Sequence, residues 1–275
     1  MSRFIFPKLL PAVLLSLSLQ GACSSGPRTI QPTDRQAKAL AIYKERCKTA
    51  WEKIYKTVEG VQGIYLMKLR PNEINYGDQF KLDDPYGRDL GGLGYIESFM
   101  KGQYAATHIA DQGQSTANWP QGYPYVEAQD PKDGKRYRYT GRLEEPWQKN
   151  KNYSQGYLRF VLDKSAVIGA PPRYGVTYDD ISTREEREYW IAGSSLKVID
   201  LQTNEVIAER IGYMVDWGQG DRSGGRSPWL FAANNACPQF GDVHGASAQP
   251  AQTTRFVEKV LKPTTSTPQT HGNTK

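Results

Sequence analysis

The stretch YWIAGSSLKVIDLQTNEVIAERIGYMV, residues 189–215, decides the fold class. Its two long runs, Tyr189–Leu201 and Glu205–Val215, are rich in the β-branched, aromatic and alternating apolar residues that are typical of strands. The polar turn Gln202-Thr203-Asn204 joins them, and asparagine tolerates the left-handed backbone that a tight hairpin requires. The sequence therefore predicts a long antiparallel hairpin.

Further strand patterns precede this hairpin and extend it into a sheet. The predicted strands are Gly63–Leu69, Arg136–Leu143, Gly156–Leu162 and Arg173–Ile181. Between residues 72 and 134 the chain is rich in Gly, Pro, Asp and Asn. There we expect loops with brief strands near Ile74 and Tyr125 and a helical turn at residues 95–100. Loops this long within a domain often carry function.

Two helices are predicted beside the sheet. Thr33 and Gln36 fit a capping box, and apolar residues then recur at three- and four-residue steps as far as Val58. This pattern predicts an amphipathic helix at Asp34–Val58, and a short second helix is predicted at Gln252–Leu261. The predicted fold is α+β, an antiparallel sheet meander with the N-terminal and C-terminal helices packed on one side of it.

The N-terminus has the pattern of a lipoprotein signal peptide. Arg3 and Lys8 precede an apolar run, residues 9–19, which ends in Gln20-Gly21-Ala22-Cys23. The run has about 11 residues, whereas a membrane-spanning helix needs about 20. Gly21 and Ala22 resemble the lipobox that lipoprotein signal peptidase reads, although Gln20 stands where an aliphatic residue is usual. We therefore expect lipidation of Cys23, and the alternative is ordinary secretion with cleavage near Ala22.

These features predict where the chain resides and how it is divided. Ser24 follows Cys23 where aspartate would mark inner-membrane retention, so we expect an acylated lipoprotein of the outer membrane that faces the periplasm. Residues 1–22 are the predicted signal peptide, 23–33 a flexible tether, 34–262 a single periplasmic domain and 263–275 a disordered tail.

The chain contains three cysteines, and two remain if Cys23 carries lipid. In an oxidising compartment Cys47 and Cys237 are then expected to form a disulfide. The alternative is a pair of buried free thiols. Neither cysteine has a second ligand at metal-binding spacing, and no cofactor is expected.

Composition narrows the possible partners. The formal net charge of +6 includes Arg3 and Lys8 of the signal segment, which leaves +4 for the mature chain. Basic and acidic residues are interleaved along the sequence, so nucleic acid is not expected as a partner. The only membrane contact expected is the lipid anchor.

No convincing catalytic pattern is present, and we expect a protein that is not an enzyme. Gly193-Ser194-Ser195-Leu196 lies inside a strand pattern and lacks the second glycine of a serine hydrolase elbow. Asp242 and His244 could form an acid–imidazole pair, but a solvent-exposed loop histidine is the ordinary interpretation.

Aromatic and arginine residues on predicted loops are the candidates for binding a protein partner. Such residues dominate protein interfaces. An alternative is that the aromatic residues fill the core beneath the loops. The candidates are Trp119, Tyr123, Tyr125, Trp217, Asp221, Arg222 and Arg226.

Two stretches carry a family resemblance. They are YKERCKTA, residues 43–50, and LDDPYGRD, residues 82–89, followed by Gly94-Tyr95-Ile96. They resemble proteobacterial lipoproteins, some of which are encoded beside antibacterial lipase effectors of type VI secretion. The resemblance implies an immunity protein that binds and neutralises such a lipase or phospholipase. The alternatives are a non-enzymatic envelope assembly or scaffolding lipoprotein and, third, a hydrolase.

Overall fold

The computed structural model describes residues 33–81, 83–87, 90–102, 121–144, 159–240 and 252–264. Cys23 and the predicted signal peptide lie outside these residues. The fold is α+β, as predicted, and is centred on a nine-stranded sheet. Its strands are β1 (Trp51–Ile54), β3 (Gly63–Leu66), β4 (Tyr125–Gln129), β5 (Arg136–Glu144), β6 (Arg159–Ala166), β7 (Tyr174–Asp180), β8 (Ile191–Asp200), β9 (Glu205–Val215) and β10 (Ala236–Cys237). Strands β2 (Val58–Val61) and β11 (Leu261–Pro263) form a separate parallel pair.

Within the described residues, five helices flank the strands. They are α1 (Asp34–Cys47), α2 (Gly92–Ser98), α3 (Arg184–Glu188), α4 (Pro228–Ala232) and α5 (Gln252–Val260). Short 3₁₀ turns occur at Ser223–Gly225 and Ala233–Asn235.

The large sheet consists of two antiparallel meanders joined through β3. The strand order is β1-β9-β8-β7-β3-β4-β5-β6, and β10 also pairs with β9. Strand β3 runs parallel to both of its neighbours, β4 and β7, whereas the other pairs in this sheet are antiparallel. The sheet is therefore mixed, although antiparallel pairing prevails as predicted.

The predicted hairpin is confirmed as β8 and β9. Their register runs from Ile191 opposite Val215 to Asp200 opposite Glu205. Asn204 in the turn has a φ of +57°, the left-handed conformation that its residue type favours.

The N-terminal helix is shorter than predicted. Its start is confirmed, because Thr33 and Gln36 form the capping box, but the helix ends at Cys47. Residues 51–54 instead form β1 and pair with residues 208–211 of β9, and residues 58–61 form β2. Aromatic and β-branched residues suit a strand as well as an amphipathic helix, and pairing with β9 outweighs the helical spacing here.

The two predicted helices cover opposite faces of the sheet, not one side. Helix α1 packs with Ile191, Tyr213 and Val215, whereas α5 belongs to the cluster that contains Leu196 and Val198. Alternate residues of a strand face opposite sides, so Ile191 and Val198 of β8 point away from each other.

Cys47 at the end of α1 is joined to Cys237 of β10 by a disulfide, as predicted. The Cα atoms are 5.6 Å apart, and the residues are separated by 190 positions in the sequence. The bond attaches α1 to the strand that pairs with β9.

Candidate partner-binding surface

The glycine-rich loop after β9, residues 217–226, is organised by Asp216, whose side chain is fully buried. The carboxylate accepts two backbone N–H groups of the loop at 3.0 and 2.8 Å. Arg226 donates to both oxygens of the same carboxylate, and these bonds raise the pKa of the guanidinium. Gly220 has a φ of +86°, and a Cβ there would lie 2.4 Å from the Trp190 ring. Internal bonds and close packing therefore fix the shape of this loop.

A second loop, residues 72–81, is attached to the buried Trp229 at the start of α4. The Trp229 backbone N–H donates to the Tyr76 carbonyl at 3.0 Å, and its indole N–H donates to the Asp78 carbonyl at the same distance. Inside the loop, the buried amide of Asn75 both donates to and accepts from the Asp78 backbone. The loop is thus held against the body of the domain.

Exposed aromatic and arginine side chains project from these two loops and the neighbouring helices. Tyr76, Phe80 and Phe231 are 46%, 40% and 48% exposed. The Arg184 guanidinium lies 4.6 Å from the centre of the Phe80 ring, and Arg222 donates to a backbone carbonyl of the 72–81 loop. We call these five residues the arginine–aromatic surface. Their chemistry is that of protein-binding sites, in which aromatic residues and arginine supply most of the affinity.

The structure places the four predicted residues of the glycine-rich loop in different roles. Asp221 and Arg222 are exposed, but the Asp221 carboxylate accepts the N–H and hydroxyl of Ser223, which lower its pKa. Trp217 is half-buried and packs against the α1 cluster. Arg226 is held by the buried carboxylate of the loop. Of these four residues, Arg222 belongs to the arginine–aromatic surface, and Arg226 lies 4.7 Å from the centre of the Phe231 ring of that surface.

Tyr123 and Tyr125 do not fit the prediction of a loop-borne partner surface. Tyr123 is fully buried, and its hydroxyl donates to the Leu261 carbonyl at 2.6 Å, so it is a core residue. Burial raises the Tyr123 pKa well above its usual value. Tyr125 is half-buried on β4, where its ring covers Gly63. Trp119 lies outside the described residues.

The sheet also separates these tyrosines from the glycine-rich loop. Strand β4 lies four places from β9 in the sheet order. At a strand spacing of about 4.8 Å this is about 19 Å. The predicted candidates therefore do not form one continuous surface.

The LDDPYGRD stretch contributes a buried side chain, Asp84, that bonds to residues of the sheet and its loops. Asp84 has a fully buried side chain and accepts the Ser194 hydroxyl at 2.5 Å and the Gly87 N–H at 3.1 Å. Arg70, also buried, reaches the same carboxylate at 3.4 Å and stacks on the Tyr178 ring at 3.9 Å. Burial raises the pKa of Asp84, and Arg70 and Ser194 act in the opposite direction. Because the Asp84 side chain is fully buried, a substrate cannot reach it, and its role is structural.

The described residues contain no cluster of three or more His, Cys, Asp or Glu side chains arranged to hold a metal ion. Asp242, His244 and the other two histidines, His108 and His271, lie outside those residues. Within the same part of the chain, no helix combines the length and apolar character needed to cross a bilayer.

Sequence reasoning missed most of the arginine–aromatic surface. Ile74, Tyr76 and Phe80 within the polar 72–81 stretch are the signal that could have revealed it, because apolar residues in a loop without periodicity have no evident place in a core. No family model matches this chain, and no curated protein or solved structure matches it significantly.

Proposed function

We propose that this chain is a lipid-anchored envelope protein that binds a secreted antibacterial lipase or phospholipase and neutralises it. The observation that carries the binding role is the arginine–aromatic surface. The choice of a lipase as partner rests on the resemblance of residues 43–50 and 82–89 to lipoproteins encoded beside such effectors.

The binding role is supported by the way the surface is held. Trp229 and Asn75 fix one loop through partly buried hydrogen bonds, and Asp216 fixes the other. A surface that is already ordered loses less conformational entropy when a partner binds, and this favours tight association. Inhibition then requires only that the bound domain cover or distort the mouth of the lipase active site.

The test is a binding assay between the purified mature chain and the product of the neighbouring gene, which this proposal expects to be a lipase. A lipase assay and a growth test in cells that export the enzyme to the periplasm complete it. Phe80→Ala and Arg222→Ala should each weaken binding about thirtyfold, because hot-spot residues contribute about 2 kcal/mol or more. Ile168→Ala is the matched control, since Ile168 is fully exposed in the loop before β7.

The alternative functions give different results in this test. If the chain binds another envelope protein through the same residues and gives no protection, the scaffolding function takes precedence. If the purified domain neither binds the product of the neighbouring gene nor protects cells that export it to the periplasm, the immunity proposal is wrong.

A further inference from the structure

A wide groove lies between the start of α2 and the hairpin that joins β4 to β5. Its volume is about 990 Å³. Pockets for small ligands commonly measure about 300 to 1,000 Å³. The groove is distinct from the arginine–aromatic surface, because none of the five residues of that surface lines it.

The floor of the groove is apolar and partly open to solvent. Met67, Leu69, Leu93 and Ile96 supply its aliphatic surface. Leu93 is 57% exposed and Met67 is 39% exposed, although both are large hydrophobic residues. Adjacent exposed apolar side chains in a concave site are typical of a surface that a ligand covers.

The rim above this floor is predominantly basic. Lys132 and Lys164 line the groove together with one acidic residue, Asp130. The Lys164 ammonium lies 2.6 Å from the Asp130 carboxylate and 3.7 Å from the centre of the Tyr137 ring. Among the described residues no salt bridge joins Lys132 to a carboxylate, although its charge contributes to the lowered pKa of Asp130. One lysine is thus held in place, and the other is available for an anion.

We propose that the groove binds a single-chain anionic amphiphile. Its alkyl chain lies on the aliphatic floor, and its head, a carboxylate or a phosphate, lies against Lys132 and Lys164. Burial of the chain supplies affinity in proportion to the apolar area removed from water, whereas the lysines select the charged head. This site does not depend on the proposed immunity function.

The test measures binding by calorimetry to the full chain with Cys23 replaced by serine, so that no attached lipid or detergent accompanies it. Three probes each carry a chain of twelve carbons: laurate, lauroyl lysophosphatidylglycerol and dodecanol. Laurate or the lysophospholipid should bind at least about fivefold more tightly than neutral dodecanol, in line with one exposed ion pair. Tighter binding of laurate would identify the ligand as a fatty acid, and tighter binding of the lysophospholipid would identify it as a phospholipid with a phosphate headgroup.

Two variants and two controls locate the site. Leu93→Glu, on the floor, and Lys132→Glu, on the rim, should each weaken binding of the anionic probes about fivefold or more. The controls Ile168→Glu and Lys135→Glu, at exposed positions outside the groove, should leave it unchanged. All four positions are on the surface, so the melting temperatures should match that of the parent chain. Absence of binding, equal binding of dodecanol, or equal effects of controls and groove variants would each overturn the proposal.

Discussion

Replacement of Asp84 by alanine removes the acceptor on which three buried donors converge. The Arg70 side chain is 1% exposed, so removal of Asp84 takes an ion-pair partner from a guanidinium that lies in the interior. The Arg70 bond to the Asp84 backbone carbonyl and its stacking on Tyr178 survive, but the Ser194 hydroxyl and the Gly87 N–H lose their acceptor. Breaking one partner of a buried pair typically costs about 3 to 5 kcal/mol. We expect a loss of that size in the free energy of unfolding.

Urea unfolding of the purified mature domain measures this loss. At an m-value of about 3 kcal/mol per molar urea, the midpoint should fall by about 1 M or more. Asp179→Ala is the matched control, because Asp179 is 59% exposed and pairs with Lys68 only at 3.8 Å, so its loss should cost less than about 1 kcal/mol. The double variant Arg70→Met with Asp84→Ala should be more stable than Asp84→Ala alone, since it also removes the buried guanidinium that has lost its ion pair with Asp84. An Asp84→Ala midpoint equal to that of Asp179→Ala would refute this reasoning.

Three further predictions concern the anchor, the disulfide and the response to alkali. Cys23→Ser should abolish lipidation and release the chain from membrane fractions, and unchanged fractionation with normal processing would exclude the lipid anchor. Removal of the disulfide by replacing both Cys47 and Cys237 with serine should destabilise the domain by about 4 kcal/mol in urea unfolding, because the bond closes a loop with a sequence separation of 190. A loss below about 1 kcal/mol would show that the unfolded chain gains little conformational entropy when the disulfide is removed. Burial raises the pKa of Tyr86 to about 12, against a usual 10.0. The neutral phenol of Tyr86 therefore contributes to the free energy of unfolding. This contribution is complete below pH 10 and declines by roughly 3 kcal/mol as the pH rises to about 12, because in that interval Tyr86 ionises in the unfolded chain but not in the folded one. Tyr86→Phe should flatten this decline in pH-dependent unfolding, and an unchanged slope would assign it to other groups.

Local features of the fold could be predicted from the sequence because their signals lie within a few residues. At Thr33 the capping box fixes the start of a helix through hydrogen bonds to residue 36. At Asn204 the residue type itself favours the left-handed backbone of the turn. Pairing of distant segments carries no such signal. Residues 51–54 have side chains that suit either a helix or a strand, and their choice is made by β9, more than 150 positions away. The parallel pairs of β3 also join segments that are far apart in the sequence.

The candidate surface was only partly predictable for the same reason. The exposure of Arg222 could be predicted, because a glycine-rich stretch implies an exposed loop. Tyr123 has equally loop-like neighbours in the sequence, but its ring is inserted into the core and its hydroxyl is satisfied by Leu261, 138 positions later. Phe80, by contrast, stays exposed. Its loop is held against the domain by the hydrogen bond from Trp229, and its ring is not inserted into the core. Which aromatic residue is buried depends on partners that a local pattern does not contain.

The pairing of β1 with β9 and of β2 with β11 makes completion of this domain depend on segments that lie much later in the chain. Residues 51–54 require residues 208–211, and residues 58–61 require residues 261–263. Contacts of such large sequence separation form slowly, because the intervening chain must first be brought together. The β8–β9 hairpin and the β4–β5–β6 meander can form from neighbouring segments, whereas β1 must wait for residues 208–211 and β2 for residues 261–263. A nascent chain therefore cannot complete the β2–β11 pair before residues 261–263 are synthesised, even when its hairpin and meander have already formed.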